Sequence, residues 1–215
     1  MTPIPLKVSH RLLVLTLDTT TRQPMVRVEL EIGGEARQVA AIDPACPHPT
    51  LELDGQGVDT IIARDILEYV VDEEAWLEAL AGVLAPGGEL VVRVPMEGPL
   101  AWMDAVNFYR YVQDTTGLGV RLNETKMQGW HRHYPPAEVE RLVHEAGLEI
   151  TSVSRSGSPH LNIVHFSELA WGKLIRPREG TERRARRRRA DAESGPGLPH
   201  LGPFSTSVTV RARKP

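Results

Sequence analysis

The residues best suited to chemistry lie in one short run, Gly129-Trp-His-Arg-His-Tyr-Pro135. Side chains alternate along an extended chain, so His131 and His133 would share one face, with Trp130, Arg132 and Tyr134 on the other. An imidazole is suited to taking a proton from a nucleophile near neutral pH. The His-x-His spacing also suits a metal pair, but a zinc site needs more ligands, and nothing in the sequence fixes how far Cys46 and His48 lie from it; no metal is expected. Just upstream, Asn107, Tyr109, Arg110 and Tyr111 fall on one expected helix, where Asn107 and Arg110 are candidates for holding a substrate. Core packing is the default for the two tyrosines. The strongest charge feature is the arginine run at 183–189. Glu179, Glu182, Asp191 and Glu193 flank it, so a solvated face is a better reading than a phosphate-binding patch.

Those residues have to be positioned by a core. Residues 11–17 are a short apolar run, the pattern of a buried strand. Residues 25–32 alternate, with Val26, Val28, Leu30 and Ile32 on one side and Arg27, Glu29 and Glu31 on the other, which predicts a strand with one polar face. Gly33-Gly34 ends it. A third strand is expected over 38–42, stopped by Asp43-Pro44, and a fourth over 59–63. Asp72 reads as a helix N-cap, with Glu73 and Glu74 in the first turn, where carboxylates suit the helix dipole. Trp76, Leu77, Leu80, Val83 and Leu84 recur at helical spacing, and Pro86-Gly87-Gly88 stops that helix. Residues 89–94 form an apolar run of the buried parallel kind. Helices are expected over 100–115 and from Pro135 or Pro136 to Gly147, with a short one over 164–174. Strands follow over 149–153 and 206–213.

Composition sets the outer limits. The chain has 215 residues, 41% hydrophobic, enough for one domain with a core of its own. A net charge of −3 gives no general attraction to nucleic acid or anionic membrane. No run approaches the roughly 18 apolar residues of a membrane span, and the first residues do not read as a signal peptide. A single cysteine, Cys46, excludes an internal disulfide. A cytoplasmic protein is expected, acting on a small-molecule or glycan-type substrate. A second copy or another protein is the alternative partner, and nucleic acid is not expected.

The run Val58-Asp-Thr-Ile-Ile-Ala-Arg-Asp-Ile-Leu-Glu-Tyr-Val70, then a helix, then Val83-Leu-Ala-Pro-Gly-Gly-Glu-Leu-Val-Val-Arg-Val-Pro95, resembles the second half of a class I S-adenosylmethionine-dependent methyltransferase. The resemblance implies an α/β fold: a Rossmann-like, mostly parallel seven-strand sheet flanked by helices, with an antiparallel last strand. It also implies one domain over 1–215, in which residues 155–203 form an arginine-rich insertion before the final strand.

In that family the cofactor sits outside the carboxyl ends of the strands. By resemblance, three places here would hold S-adenosylmethionine. The turn after strand one, Leu15-Thr16-Leu17-Asp18, stands where the family has a glycine-rich turn; two glycines are absent and an anionic side chain takes their place. Glu29 matches the acidic residue at the end of strand two that accepts the ribose hydroxyls, although a glutamate on the polar face of an alternating strand is commonly just solvated. Asp43 matches the acidic residue after strand three, although it is also an ordinary turn former. Arg64 and Asp65 would border the methyl-transfer site, or form a local ion pair or cap. Glu68 is a family hallmark of a structural kind, and Tyr69 replaces a common histidine. The loop around Trp130, His131, His133 and Tyr134 would cover the methyl acceptor. The expected activity is methyl transfer to an oxygen or nitrogen nucleophile. The alternative is a methyltransferase-like module without activity, working through protein contacts.

Overall fold

The structure is a computed structural model and describes residues 10–18, 24–98, 101, 111, 115–116, 132–156 and 206–215. The expected helices over 100–115 and 164–174 lie wholly or mostly outside these residues, as does the arginine run. The strands are β1 (Arg11–Asp18), β2 (Met25–Ile32), β3 (Glu35–Ile42), β4 (Val58–Arg64), β5 (Leu84–Pro95), β6 (Glu149–Ser156) and β7 (Ser207–Arg213). The two long helices described are α1 (Glu73–Val83) and α2 (Pro136–Glu145). A 3-10 turn covers Leu67–Tyr69.

The strands form one seven-stranded sheet in the order β3-β2-β1-β4-β5-β7-β6. β1, β4 and β5 pair in parallel, and β7 lies antiparallel between β5 and β6, so the expected antiparallel last strand is present. The sheet is the expected α/β, Rossmann-like type, with one correction. β2 is antiparallel to both β1 and β3, because the links on either side of it are too short for anything else. Only residues 19–24 join β1 to β2, and only Gly33-Gly34 joins β2 to β3. A parallel return needs about a dozen residues or more, usually with a helix. Gly33 and Gly34 have φ of 63° and 89°, the left-handed pair that a two-residue hairpin requires.

Among the described residues, the main buried cluster lies on one face of the sheet. Leu13, Leu15 and Leu17 of β1 stand beside Leu30, Val28 and Val26 of β2, and beside Ile61 and Ala63 of β4. Trp76, Leu77 and Leu80 of α1 and Val139, Leu142 and Val143 of α2 cover them in one cluster. α1 is fixed at both ends. The Asp72 side chain accepts from the Ala75 amide at 2.9 Å, as the sequence predicts. At the other end the Lys214 ammonium donates to the carbonyls of Ala81 and Leu84 at 2.8 and 2.9 Å, neutralising the negative end of the helix. α1 stops at Val83, ahead of Pro86-Gly87-Gly88. Gly57 and Gly88 allow two backbones to meet there: a Cβ on Gly57 would lie 2.7 Å from the Cα of Ala85.

Candidate functional site

β1, β3, β4 and β5 run the same way, so their carboxyl ends gather Asp18, Asp43, Arg64-Asp65 and the Pro95-Met96 turn along one edge. The even-numbered residues of β1 face away from the two helices. Thr16 is exposed there, opposite Arg27 of β2. Asp18 is turned across to the same arginine: its Oδ2 lies 2.5 Å from Arg27 Nη2, and only 9% of its side chain is exposed. The anionic residue in the first turn is therefore neutralised by a cation two rungs along the neighbouring strand.

Asp65 follows β4 with φ of 54°, a left-handed backbone that aspartate tolerates better than most residues. Its amide donates to the Arg93 carbonyl at 2.8 Å. Its carboxylate accepts from Arg93 Nε at 3.1 Å and holds Nη2 with its other oxygen. Arg64 stands directly opposite Arg93 in the β4–β5 register. Burial pulls its guanidinium below the usual range; Arg93 and Arg211 push the same way, and Asp65 opposes them. Asp43 builds the next turn. Its Oδ1 accepts from the Ala45 amide at 2.8 Å and its carbonyl from the Cys46 amide at 2.9 Å. That turn is fastened to the start of α1: the Val71 amide donates to the Pro44 carbonyl at 3.1 Å, and Trp76 Nε1 to the Cys46 carbonyl at 3.2 Å.

The segment before α2 closes the far side of the edge. The Tyr134 amide donates to the Pro95 carbonyl, and the Glu97 amide to the Tyr134 carbonyl, both at 2.9 Å. The Tyr134 ring is buried, and its hydroxyl lies 3.0 Å from the Leu67 carbonyl and 2.9 Å from Glu73 Oε1. Burial, and then the Glu73 carboxylate, push this phenol far above its ordinary value. Arg132 also grips Glu73. Tyr134 thus anchors the loop to the 3-10 turn and α1. His133, next to it, is half-buried at the same edge, and Glu68 is 1% exposed. On the helix side of these loops lies a cleft of about 360 Å³ lined by Pro47, Val71, Glu74, Tyr134, Glu138 and Arg141, among others.

The structure brings Thr16, Asp18, Asp43, Arg64, Asp65 and His133 to one edge, with Tyr134 beneath it. Two of the expected placements are corrected. Glu29 is not at the end of strand two. It sits mid-strand, opposite Val14 and Gln38, about 13 Å along the strand from the rung that holds Asp18. Leu15 is 2% exposed and belongs to the core; its backbone lies between β2 and β4. Asn107, Arg110, Trp130 and His131 lie outside the described residues. Sequence reading missed Arg27, Glu73 and Arg93. Arg27 shares the polar face of β2 with Glu29, and its position two residues earlier was the one available signal.

The model of the family described as a methyltransferase domain matches residues 23–153. The human mitochondrial ubiquinone biosynthesis O-methyltransferase is 24% identical over 111 residues, covering 51% of this chain and 28% of that protein. The ubiquinone biosynthesis O-methyltransferase of Dinoroseobacter shibae is 26% identical over 95 residues, covering 44% of this chain and 36% of that one. The match thus spans about a third of the length of each of these relatives. Among solved structures, an S-adenosylmethionine-dependent methyltransferase of Thermotoga maritima is 16% identical, with a TM-score of 0.43 over 77% of this chain and 60% of that chain.

Proposed function

Because the chain belongs to the methyltransferase domain family, whose model spans more than half of it, we propose that it binds S-adenosylmethionine, the cofactor of class I members, along the carboxyl edge of β1, β3 and β4 and transfers its methyl group. The observation that supports this reading is the chemistry of the donors gathered there. A covered Asp18 and a half-exposed Arg27 form an ion pair, Asp43 shapes the adjoining turn, and Asp65 accepts two contacts from Arg93. Carboxylates accept from hydroxyl, ammonium and amino groups, and a guanidinium donates to a carboxylate. When bound, the cofactor supplies a methyl group on a positively charged sulfur.

The work left to the protein is mainly positioning, with a base needed only where the nucleophile starts protonated. His133 is the described residue suited to that proton, with His131 beside it in sequence. Arg64 and Asp65 would flank the acceptor, and Trp130, Asn107 and Arg110 would contact it. The names of the two relatives favour an oxygen nucleophile on a small acceptor over a nitrogen one. Calorimetric titration with S-adenosylmethionine and S-adenosylhomocysteine tests the reading: micromolar binding supports it, and no binding at millimolar ligand by folded protein sinks it.

One observation favours a second reading. The six residues between β1 and β2 are too few for a glycine-rich turn followed by a crossover helix. A module that keeps the family's sheet and works through protein contacts would show no binding in the same titration.

A further inference from the structure

The Asp18–Arg27 pair has a form that matches one part of the proposed ligand. Both side chains belong to the face of the β1–β2 hairpin turned away from α1 and α2, Asp18 on its last rung and Arg27 two rungs earlier. Asp18 is almost wholly covered, while 44% of Arg27 remains exposed. Asp18 takes Nη2 of the guanidinium, and a guanidinium carries five N–H donors in a planar fork. The cation is thus held in place by the carboxylate and still presents donors to the edge. β1 and β2 are joined at this end by a link of six residues, and the pair lies at the same edge of the sheet as the carboxyl end of β4.

Resting on the reading that this edge takes S-adenosylmethionine, we propose that the Asp18–Arg27 pair recognises the amino-acid end of the cofactor, with Arg27 receiving the α-carboxylate and Asp18 the α-ammonium. A fixed pair of opposite charges is the complement of a zwitterion. It does with two side chains what a glycine-rich turn does with backbone amides. It also accounts for an aspartate where a bare anion would repel a carboxylate, since Arg27 cancels that charge.

The test uses three ligands on the full chain: S-adenosylmethionine, its decarboxylated form, which keeps the ammonium, and 5′-methylthioadenosine, which lacks the amino-acid end altogether. Arg27→Gln is expected to weaken S-adenosylmethionine about tenfold or more, the scale of a charge-assisted hydrogen bond, and to leave the other two unchanged. Arg27→Lys, which keeps the charge, should recover part of the loss. Asp18→Asn is expected to weaken both ammonium-bearing ligands and spare methylthioadenosine. Equal loss for all three ligands, or no loss for any, would overturn the assignment while the proposed function stands. Failure of the folded wild type to bind any of the three would remove the proposed function, and the assignment with it.

Discussion

The two halves of the sheet solve the same packing problem with different connections. In β4-α1-β5 the chain crosses over through a helix, and the strands lie parallel. In β1-β2-β3 it doubles back through two short links, and the middle strand runs the other way. Both halves present the same buried face: Leu13, Leu15 and Val28 on one side, Ile61, Leu90 and Val92 on the other, under the same pair of helices. What differs is the opposite face. The links of the meander are too short for a crossover helix, and its outward positions include Thr16, Arg27, Glu29 and Glu31. The comparison teaches that a family's core can survive a change of strand direction, because side-chain alternation is indifferent to it. The positions of functional residues along the strand do not survive it.

Stability should divide along the same line. The largest effect is expected in the helical half. Trp76→Ala removes a fully buried indole whose N–H holds the turn after β3, and should cost about 3–5 kcal/mol in urea unfolding. A cost near 1 kcal/mol would mean that α1 is not the lid of a shared core. Next, Gly57→Ala forces a methyl group against the backbone of Ala85 and should cost about 1–3 kcal/mol; an unchanged midpoint would contradict the close β4–β5 crossing. In the meander, Gly34→Ala meets no atom within 4 Å and suffers only its φ of 89°, a strain of about 1–2 kcal/mol. A larger loss would show that the hairpin tip packs against something else.

The smallest effect is a pH dependence. Arg11, by hydrogen bond and charge, holds the Asp54 carboxyl below its ordinary value. A depressed carboxylate contributes stability above its unfolded value and loses it as pH falls through the folded one. Asp54→Asn should therefore be slightly less stable than wild type near neutrality, with the gap closing in acid. A gap that widened in acid would reverse the sign.

How much of this was legible in the sequence follows the same division. The Val58–Val70 and Val83–Pro95 motifs carried β4, α1 and β5 because their apolar periods and Asp72 cap are local signals. The alternation of residues 25–32 also gave β2 and its polar face. The direction of β2 was readable as well, since residues 19–24 are too few for a crossover. Treating them as a family turn placed Glu29 at a strand end that it does not occupy. Long-range partners were beyond reach. The Tyr134 hydroxyl meets Glu73 across 61 residues, and Lys214 caps α1 across 133, and no local pattern announces either contact.

The central claim is that the carboxyl edge holds S-adenosylmethionine despite the meander. Amide hydrogen exchange with and without saturating S-adenosylhomocysteine tests it most directly. The prediction is slowed exchange at residues 16–18, 25–27, 43–46 and 64–66, on both halves of the sheet. Unchanged exchange along this edge, or protection confined to other parts of the chain, would contradict it.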